Sequence, residues 1–344
     1  MHRILEEDID NIIKAELTWE KFQGTNVLIT GASGMIGSYI MNTLIALKKK
    51  KQMDINIYVL VRNPAKLDEE VKDYVKVIQQ SVVDPINTDI EFDFVIHTAS
   101  PASPLIMKND PVGTVAANTI GTYNTLNVAQ KGSGKGYLYI SSREIYGQPY
   151  ENQEIFTENT YGFVDPLNVR SCYPEGKKAA ETMCVCFKEQ YGINTKIARL
   201  AHTFGPGMPV DDGRVQADFL RNVINNEDIV LKSEGVAVRT YTYVGDAVLA
   251  LFYILLDSEE MVYNISSEES TVSIKQLAET LVDAYPERNL KLVFDIPESE
   301  GNTGCAPFTL GILSSDRIRK LGWEPIYGLK EGLMRTVEYL EGEQ

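Results

Sequence analysis

The 344-residue sequence predicts an α/β protein, a doubly wound parallel sheet with a smaller C-terminal substrate-binding lobe. Three observations carry that expectation. Short apolar runs at Asn26–Thr30 and Ile55–Val61 are followed by strand-like stretches at Phe94–His97, Tyr137–Ser141 and Thr195–Leu200, each of a length suited to a buried strand. Helical patterns lie between them, around 109–131 and 174–191, and strands alternating with helices make parallel sheets covered on both sides. A glycine-rich turn, GASGMIG, leads from the first run into a helix.

Taken in order, residues 1–24 form an acidic, amphipathic helical extension, expected to dock on the sheet edge or on a partner subunit. Residues 25–200 form the dinucleotide-binding unit, with a stretch near 236–262 completing it. Residues 201–235 and 263–344, loosened by loops such as TFGPGMPVDDGR, form the substrate lobe. An apolar share of 44% and a charged share of 24% are ordinary for a folded chain. The balance of 33 basic against 48 acidic residues leaves a net charge of −15, which argues against nucleic acid or an anionic membrane as partner. A phosphorylated ligand must therefore be held by a local site that works against the global charge. Four cysteines (Cys172, Cys184, Cys186, Cys305) and three histidines offer no disulfide framework and little for a metal site. No stretch reads as a leader or a membrane span. A cytoplasmic protein without metal is expected.

In the glycine turn, Gly31, Gly34 and Gly37 permit a tight bend and close backbone approach, while Ser33, Met35 and Ile36 complete the opening of the helix. Free N–H groups at that helix start suit a pyrophosphate. A glycine triplet between strand and helix is the Rossmann-type context, and its three-and-three spacing points to the short-chain dehydrogenase/reductases. At the end of the second strand Arg62 stands where an NAD-binding acid is usual. It can meet a 2′-phosphate, stack on adenine or lie in solvent. NAD is the expected cofactor, with NADP left open.

A second constellation is Ser142, Tyr173 and Lys177. Tyr173 and Lys177 are four apart, one turn from each other on one helix face. A tyrosine near pKa 10 is a poor base at neutral pH. An adjacent ammonium and a positive nicotinamide ring favour its phenolate. Ser142 closes the Tyr137–Ser141 run, at the strand end where ligands sit in such sheets.

From about residue 25 to 340 the sequence resembles the extended short-chain dehydrogenase/reductases acting on nucleotide sugars, and within them the UDP-glucuronate decarboxylases (UDP-xylose synthases). The resemblance is carried by HTASPASP (97–104), NTIGTYN (118–124), SSREIYG (141–147), VRSCYPEGKKAAETMC (169–184), HTFGPGMPVDDGRV (202–215), RTYTYV (239–244) and LGWEP (321–325). It implies an NAD-dependent enzyme in which Ser142 and Tyr173 hold the sugar 4-hydroxyl and Lys177 binds the nicotinamide ribose. Glu144 then stands near C5 and C6. It places Ser81, Val82, Thr98, Ala99, Ser100 and Asn118 along the cofactor, and Pro101, Arg143, His202, Arg214, Val215 and Arg239 along the substrate. Oxidation at C4 would make a β-keto acid that loses CO2 without a metal. A homodimer is the expected assembly.

Four departures bear on the substrate. Arg143 replaces the serine usual before Glu144, and it can recognise an anion or fill space. His202 replaces an asparagine, Ser81 an adenine-side aspartate, and GNTGCAPFTLG (301–311) a basic stretch. Decarboxylation of UDP-glucuronate is the leading expectation, with a 4,6-dehydratase or a 4-epimerase as alternatives in the same class. A non-catalytic dinucleotide-binding sensor or scaffold is the alternative outside it. Read from their own surroundings, His97 and His202 are expected to be packing or loop residues, and Met183, Cys184 and Phe187 a core stripe or a dimer face.

Overall fold

A computed structural model describes residues 1–150, 153–211, 213–296 and 312–342. The segment 301–311, with Cys305, and residue 212 of the DDGRV loop lie outside the described residues. The strands that position the site are β1 (Thr25–Thr30), β2 (Ile55–Val61), β3 (Val75–Gln79), β4 (Phe94–His97), β5 (Gly136–Ser142), β6 (Thr195–Leu200), β7 (His202–Phe204), β8 (Val238–Tyr243) and β9 (Val262–Ile265). The helices are α1 (Arg3–Lys14), α2 (Met35–Lys50), α3 (Pro111–Lys131), α4 (Cys172–Tyr191), α5 (Val215–Ile224), α6 (Val244–Asp257) and α7 (Leu329–Gly342).

Seven strands form one parallel sheet in the order β3-β2-β1-β4-β5-β6-β9. Alternate residues feed opposite layers, as the two-residue period of a strand requires. Val27 and Ile29 join the core beneath α2 and α6, whereas Leu28 joins the core beneath α3 and α4. Cys184 and Phe187 are buried in that second core with Met183 against them, so the stripe is packing within the chain. The strand order reverses between β1 and β4, and their C-terminal ends open the crevice in which such sheets bind ligands. Beyond the sheet, β7 pairs with β8 in parallel, setting His202 beside Tyr241.

Two features differ from the sequence expectation. Strand β3 was not expected, because it is an edge strand whose Lys76, Val77 and Gln79 are exposed, so its residues carry no continuous apolar run. The N-terminal extension does not dock on the sheet edge. Helix α1 packs on α2, α6 and α7 and contributes Leu5, Ile9, Ile12 and Ile13 to the larger core. Its Asp8, 1% exposed, accepts hydrogen bonds from Tyr39 Oη on α2 (2.8 Å), Tyr243 Oη on β8 (2.7 Å) and Arg335 Nη2 on α7 (2.7 Å). Removing one partner of a buried ion pair leaves the other charge unpaired, so Asp8→Ala is expected to destabilise the fold by about 3–5 kcal/mol. Urea unfolding midpoints check this, and a change below about 1 kcal/mol would place Asp8 among ordinary surface contacts.

Candidate active site

The glycine turn brings three strand ends together. Gly31 has φ +70°, and a Cβ there would come within 2.8 Å of Ala99 N and Thr98 Oγ1; one on Gly37 would lie 2.3 Å from Gly31 O. These approaches hold α2 tight against the sheet and admit only glycine. Thr98 Oγ1 donates to Thr30 O (2.7 Å), and Ala99 N donates to Thr30 Oγ1 (3.3 Å), tying β4 to the turn. Gly34 caps α2 without a side chain, Ser33 and Gly34 are exposed, and Met35 and Ile36 are half-buried. The first-turn N–H groups therefore face outward as an anion cradle. The chain fits a dinucleotide here.

Around that cradle, Ser100 Oγ donates to Asn118 Oδ1 (2.9 Å), and Asn118 is fully buried. Val82 is buried against Gly121 of α3, and Ser81 beside it is half-buried. Arg62 is exposed at the end of β2. His97 is a packing group, as expected. Its Nδ1 lies 2.7 Å from Thr30 Oγ1, and burial with nearby Lys177 pushes its pKa down to about 3.

At the end of β5 the chain turns sharply. Ser142 Oγ caps this turn by accepting from Glu144 N (3.2 Å), so the catalytic candidates share one rigid corner. Helix α4 presents Tyr173 and Lys177 to that corner, both buried. Lys177 Nζ donates to Ile140 O (2.6 Å) and lies 5.6 Å from the centre of the Tyr173 ring. Burial and the charge of Glu144 push the Tyr173 phenol up to about 12, while a hydrogen bond with Ser142 and the charges of Arg170 and Arg214 pull it back. Desolvation outweighs the pull of these cations on the phenol. Burial also takes Lys177 down to about 7, against the opposing pull of Glu181.

Glu144 Oε1 accepts from Arg170 Nη2 at 2.7 Å, while its Oε2 is buried with no hydrogen bond among the described residues. On the substrate side, Arg143 is 3% exposed with Nη1 3.1 Å from His202 Nδ1. Burial and Arg239 lower the Arg143 pKa to about 9, so it stays charged at neutral pH. Burial together with Arg143, Arg239 and Arg214 holds the His202 imidazole well below its usual pKa. His202 is therefore neutral and its Nδ1 accepts from Arg143. Arg214 caps α5 ahead of Val215, Arg239 Nη1 donates to Val238 O (2.7 Å), and Pro101 is half-buried beyond Ser100.

The structure thus gathers Ser142, Glu144, Tyr173 and Lys177 at one corner and Arg143, His202 and Arg239 beside it, with Arg214 acting on both groups. Arg62 and Ser81 stand apart, beyond β2 and β3. Two participants escaped the sequence reading. Arg170 lies three residues before Tyr173, a signal that was present but unweighted. Tyr241 follows Arg239 by two positions, hence on the same face of β8.

Fold and site together define a class. Residues 27–266 match the NAD dependent epimerase/dehydratase family, and the chain belongs to that family, the extended short-chain dehydrogenase/reductases acting on nucleotide sugars. It is therefore an enzyme, and NAD is the family's cofactor, as the sequence reading expected. Among curated relatives, UDP-glucuronic acid decarboxylase 6 of Arabidopsis thaliana is 32% identical over 313 residues, covering 89% of this chain and 86% of the relative. Among solved structures, UDP-glucose 4-epimerase of Thermotoga maritima with UDP-glucose superposes with TM-score 0.77 at 24% identity, covering 92% of this chain and 99% of the other. UDP-glucuronic acid 4-epimerase of Bacillus cereus, with UDP-glucuronic acid and NAD, gives TM-score 0.74 at 19% identity, covering 93% and 100%. These two share the fold.

The buried lysine makes a stability prediction. Its folded pKa of about 7 lies below the ordinary 10.5, so the unfolded chain binds more protons between those values and stability rises with pH across them. The cost of burying Lys177 is full below pH about 7 and gone above 10.5. Lys177→Met is therefore expected to be more stable than the parent near pH 6, with the difference closing as pH rises. Thermal unfolding across that range checks it; a gap that widens with pH would refute it.

Proposed function

We propose that this enzyme remodels a nucleotide-linked sugar through a transient 4-keto intermediate, and that its reaction is decarboxylation of UDP-glucuronate to UDP-xylose. The observation that carries the reading is the corner where Ser142, Tyr173 and Lys177 meet, beside a glycine cradle that admits a dinucleotide. The cradle would be formed by Gly31, Ser33, Gly34, Met35, Ile36 and Gly37, with Arg62, Ser81, Val82, Thr98, Ala99, Ser100 and Asn118 along the rest of the cofactor. When bound, NAD supplies the hydride acceptor for C4 and the hydride that later restores it.

The chain's own groups handle protons and orientation. Tyr173 takes the proton of the C4 hydroxyl, which Ser142 holds in line. Arg170, Arg214 and the Ser142 hydrogen bond oppose the desolvation that makes the phenol a weak acid. Lys177 anchors the cofactor ribose from its seat on Ile140. A C4 ketone lies β to the C6 carboxylate and accepts the electron pair as CO2 leaves, so the chemistry needs no metal. Glu144, steadied by Arg170, stands at C5 to manage the proton that returns to the enol. Residues 201–235 and 263–344 form the lobe holding the substrate, with Pro101, Arg214, Val215 and Arg239 toward the diphosphate.

The decarboxylase relatives support this choice over a dehydratase or an epimerase. A homodimer would form through the outer faces of α3 and α4, where Val112, Ile120, Tyr123, Val185 and Tyr191 are exposed. Among the described residues no helix is long and apolar enough to cross a membrane. We place the enzyme in the cytoplasm, in keeping with its free Cys172, Cys184 and Cys186.

Incubation with a panel of nucleotide sugars, followed by mass, tests the reading. Loss of CO2 from UDP-glucuronate is expected; loss of water or an unchanged mass with inverted C4 would transfer the enzyme to the dehydratases or epimerases. Tyr173→Phe should lower turnover by about 10²- to 10⁴-fold while NAD binding persists. An unaffected rate would move the proton transfer to another group.

A further inference from the structure

The adenosine end of the glycine cradle departs from the chemistry of a site that reads an unmodified ribose. Thr30 pairs with Leu60 in register, and Gly31 N donates to Leu60 O at 3.1 Å, so the end of β2 is laced to the turn. Arg62 stands two residues beyond Leu60 and Ser33 two beyond Gly31, both exposed at that rim. A site for two free ribose hydroxyls sets a carboxylate at the end of its second strand, which accepts hydrogen bonds from the diol and repels a phosphate there. Here the residues that follow β2 are Arg62 and Asn63, and those that follow β3 are Gln80 and Ser81. Neither strand end offers an acid. The neighbouring groups leave Arg62 unengaged. Asn63 Oδ1 is spent accepting from Ala65 N at 3.1 Å, and Gln80 Nε2 donates to Ser81 O and Asp84 O at 3.4 and 3.3 Å. Of the acids that follow in the chain, Glu69 pairs with Lys72 at 2.5 Å and Glu70 with the N-terminal ammonium at 2.8 Å. Arg62 makes no hydrogen bond or ion pair among the described residues. Lys66, exposed at the end of the turn Pro64–Lys66, is unpaired in the same sense and adds a second positive charge to this loop.

We propose that this chain takes NADP as well as NAD in the cradle, and that Arg62 selects the phosphorylated form by pairing with its 2′-phosphate. A guanidinium presents a planar fork of N–H donors that matches a phosphate, and the resulting bonds are charge-assisted. The missing carboxylate acts in the same direction, since neither strand end repels a dianion. The 2′-phosphate sits on the adenosine ribose, at the opposite end of the cofactor from the nicotinamide. The corner of Ser142, Tyr173 and Lys177 therefore meets the same ring in either form. The inference rests on the reading of the cradle as the dinucleotide site. It concerns the cofactor alone and holds for whichever sugar the enzyme remodels.

The test measures NAD and NADP binding by calorimetry to the full chain freed of bound nucleotide, for the parent, Arg62→Ala and Arg62→Asp. A hydrogen-bonded charge pair corresponds to about ten- to a hundredfold in affinity. The parent should hold NADP tighter than NAD by about that factor at low salt, and the margin should narrow as ionic strength rises, because the pair lies at the surface. Arg62→Ala should remove the margin while leaving NAD affinity as it was. Arg62→Asp, which restores an acid to the strand end, should favour NAD. Retained NAD binding shows that each variant is folded. A parent that holds NADP no tighter than NAD overturns the proposal. So does an Arg62→Ala variant that weakens both nucleotides alike, which would make Arg62 a residue that stacks on adenine. A parent that binds neither nucleotide sinks the dinucleotide reading of the cradle, and this inference with it.

Discussion

The close approach of two backbones at the mouth of the sheet sets the terms for everything else in this protein. Gly31 turns left-handed where any side chain would strike Ala99 and Thr98, and Gly37 lets the helix rest on the carbonyl of that turn. Because β1 and β4 are held this near, the N-terminus of α2 faces the crevice, and the ends of β4 and β5 reach it from the other side. Ser142, Arg143 and Glu144 follow immediately from β5. A bulkier residue at either glycine would part the strand ends and separate the cradle from the corner that holds Ser142, Tyr173 and Lys177.

That corner is unusual for its charge in so acidic a molecule. The surface carries a net −15, yet Arg143, Arg170, Arg214, Arg239 and Lys177 gather within reach of one phenol and one imidazole. Burial and the nearby arginines keep protons off His202, while burial alone lowers Lys177 against the pull of Glu181. A negatively charged substrate therefore meets a local attraction that the distant field does not announce.

Much of the architecture was legible in the sequence, for physical reasons that also explain where legibility ended. Buried parallel strands must be apolar throughout, so β1, β2, β4, β5 and β6 stood out as runs, and Gly31 to Gly37 could be read because backbone conformation itself demands glycine. Edge strand β3, with three of its five residues exposed, left no such mark. Tyr173 and Lys177 were readable because four residues make one helical turn. The Glu144–Arg170 ion pair and the Arg143–His202 contact join residues 26 and 59 positions apart, and no local periodicity encodes them. The upward push of burial on Tyr173 left no mark in the sequence for a related reason: charged neighbours can be guessed from motifs, but the loss of water around a phenol depends on the whole packed interior.

The carboxylate of Asp8 is shared by the helix that carries the cofactor turn, the strand that carries Arg239, and the C-terminal helix. Three separate stretches of chain are thus fastened at one point. The placement of the cofactor turn relative to the strand bearing Arg239 is thereby tied to a residue that lies outside the sheet altogether.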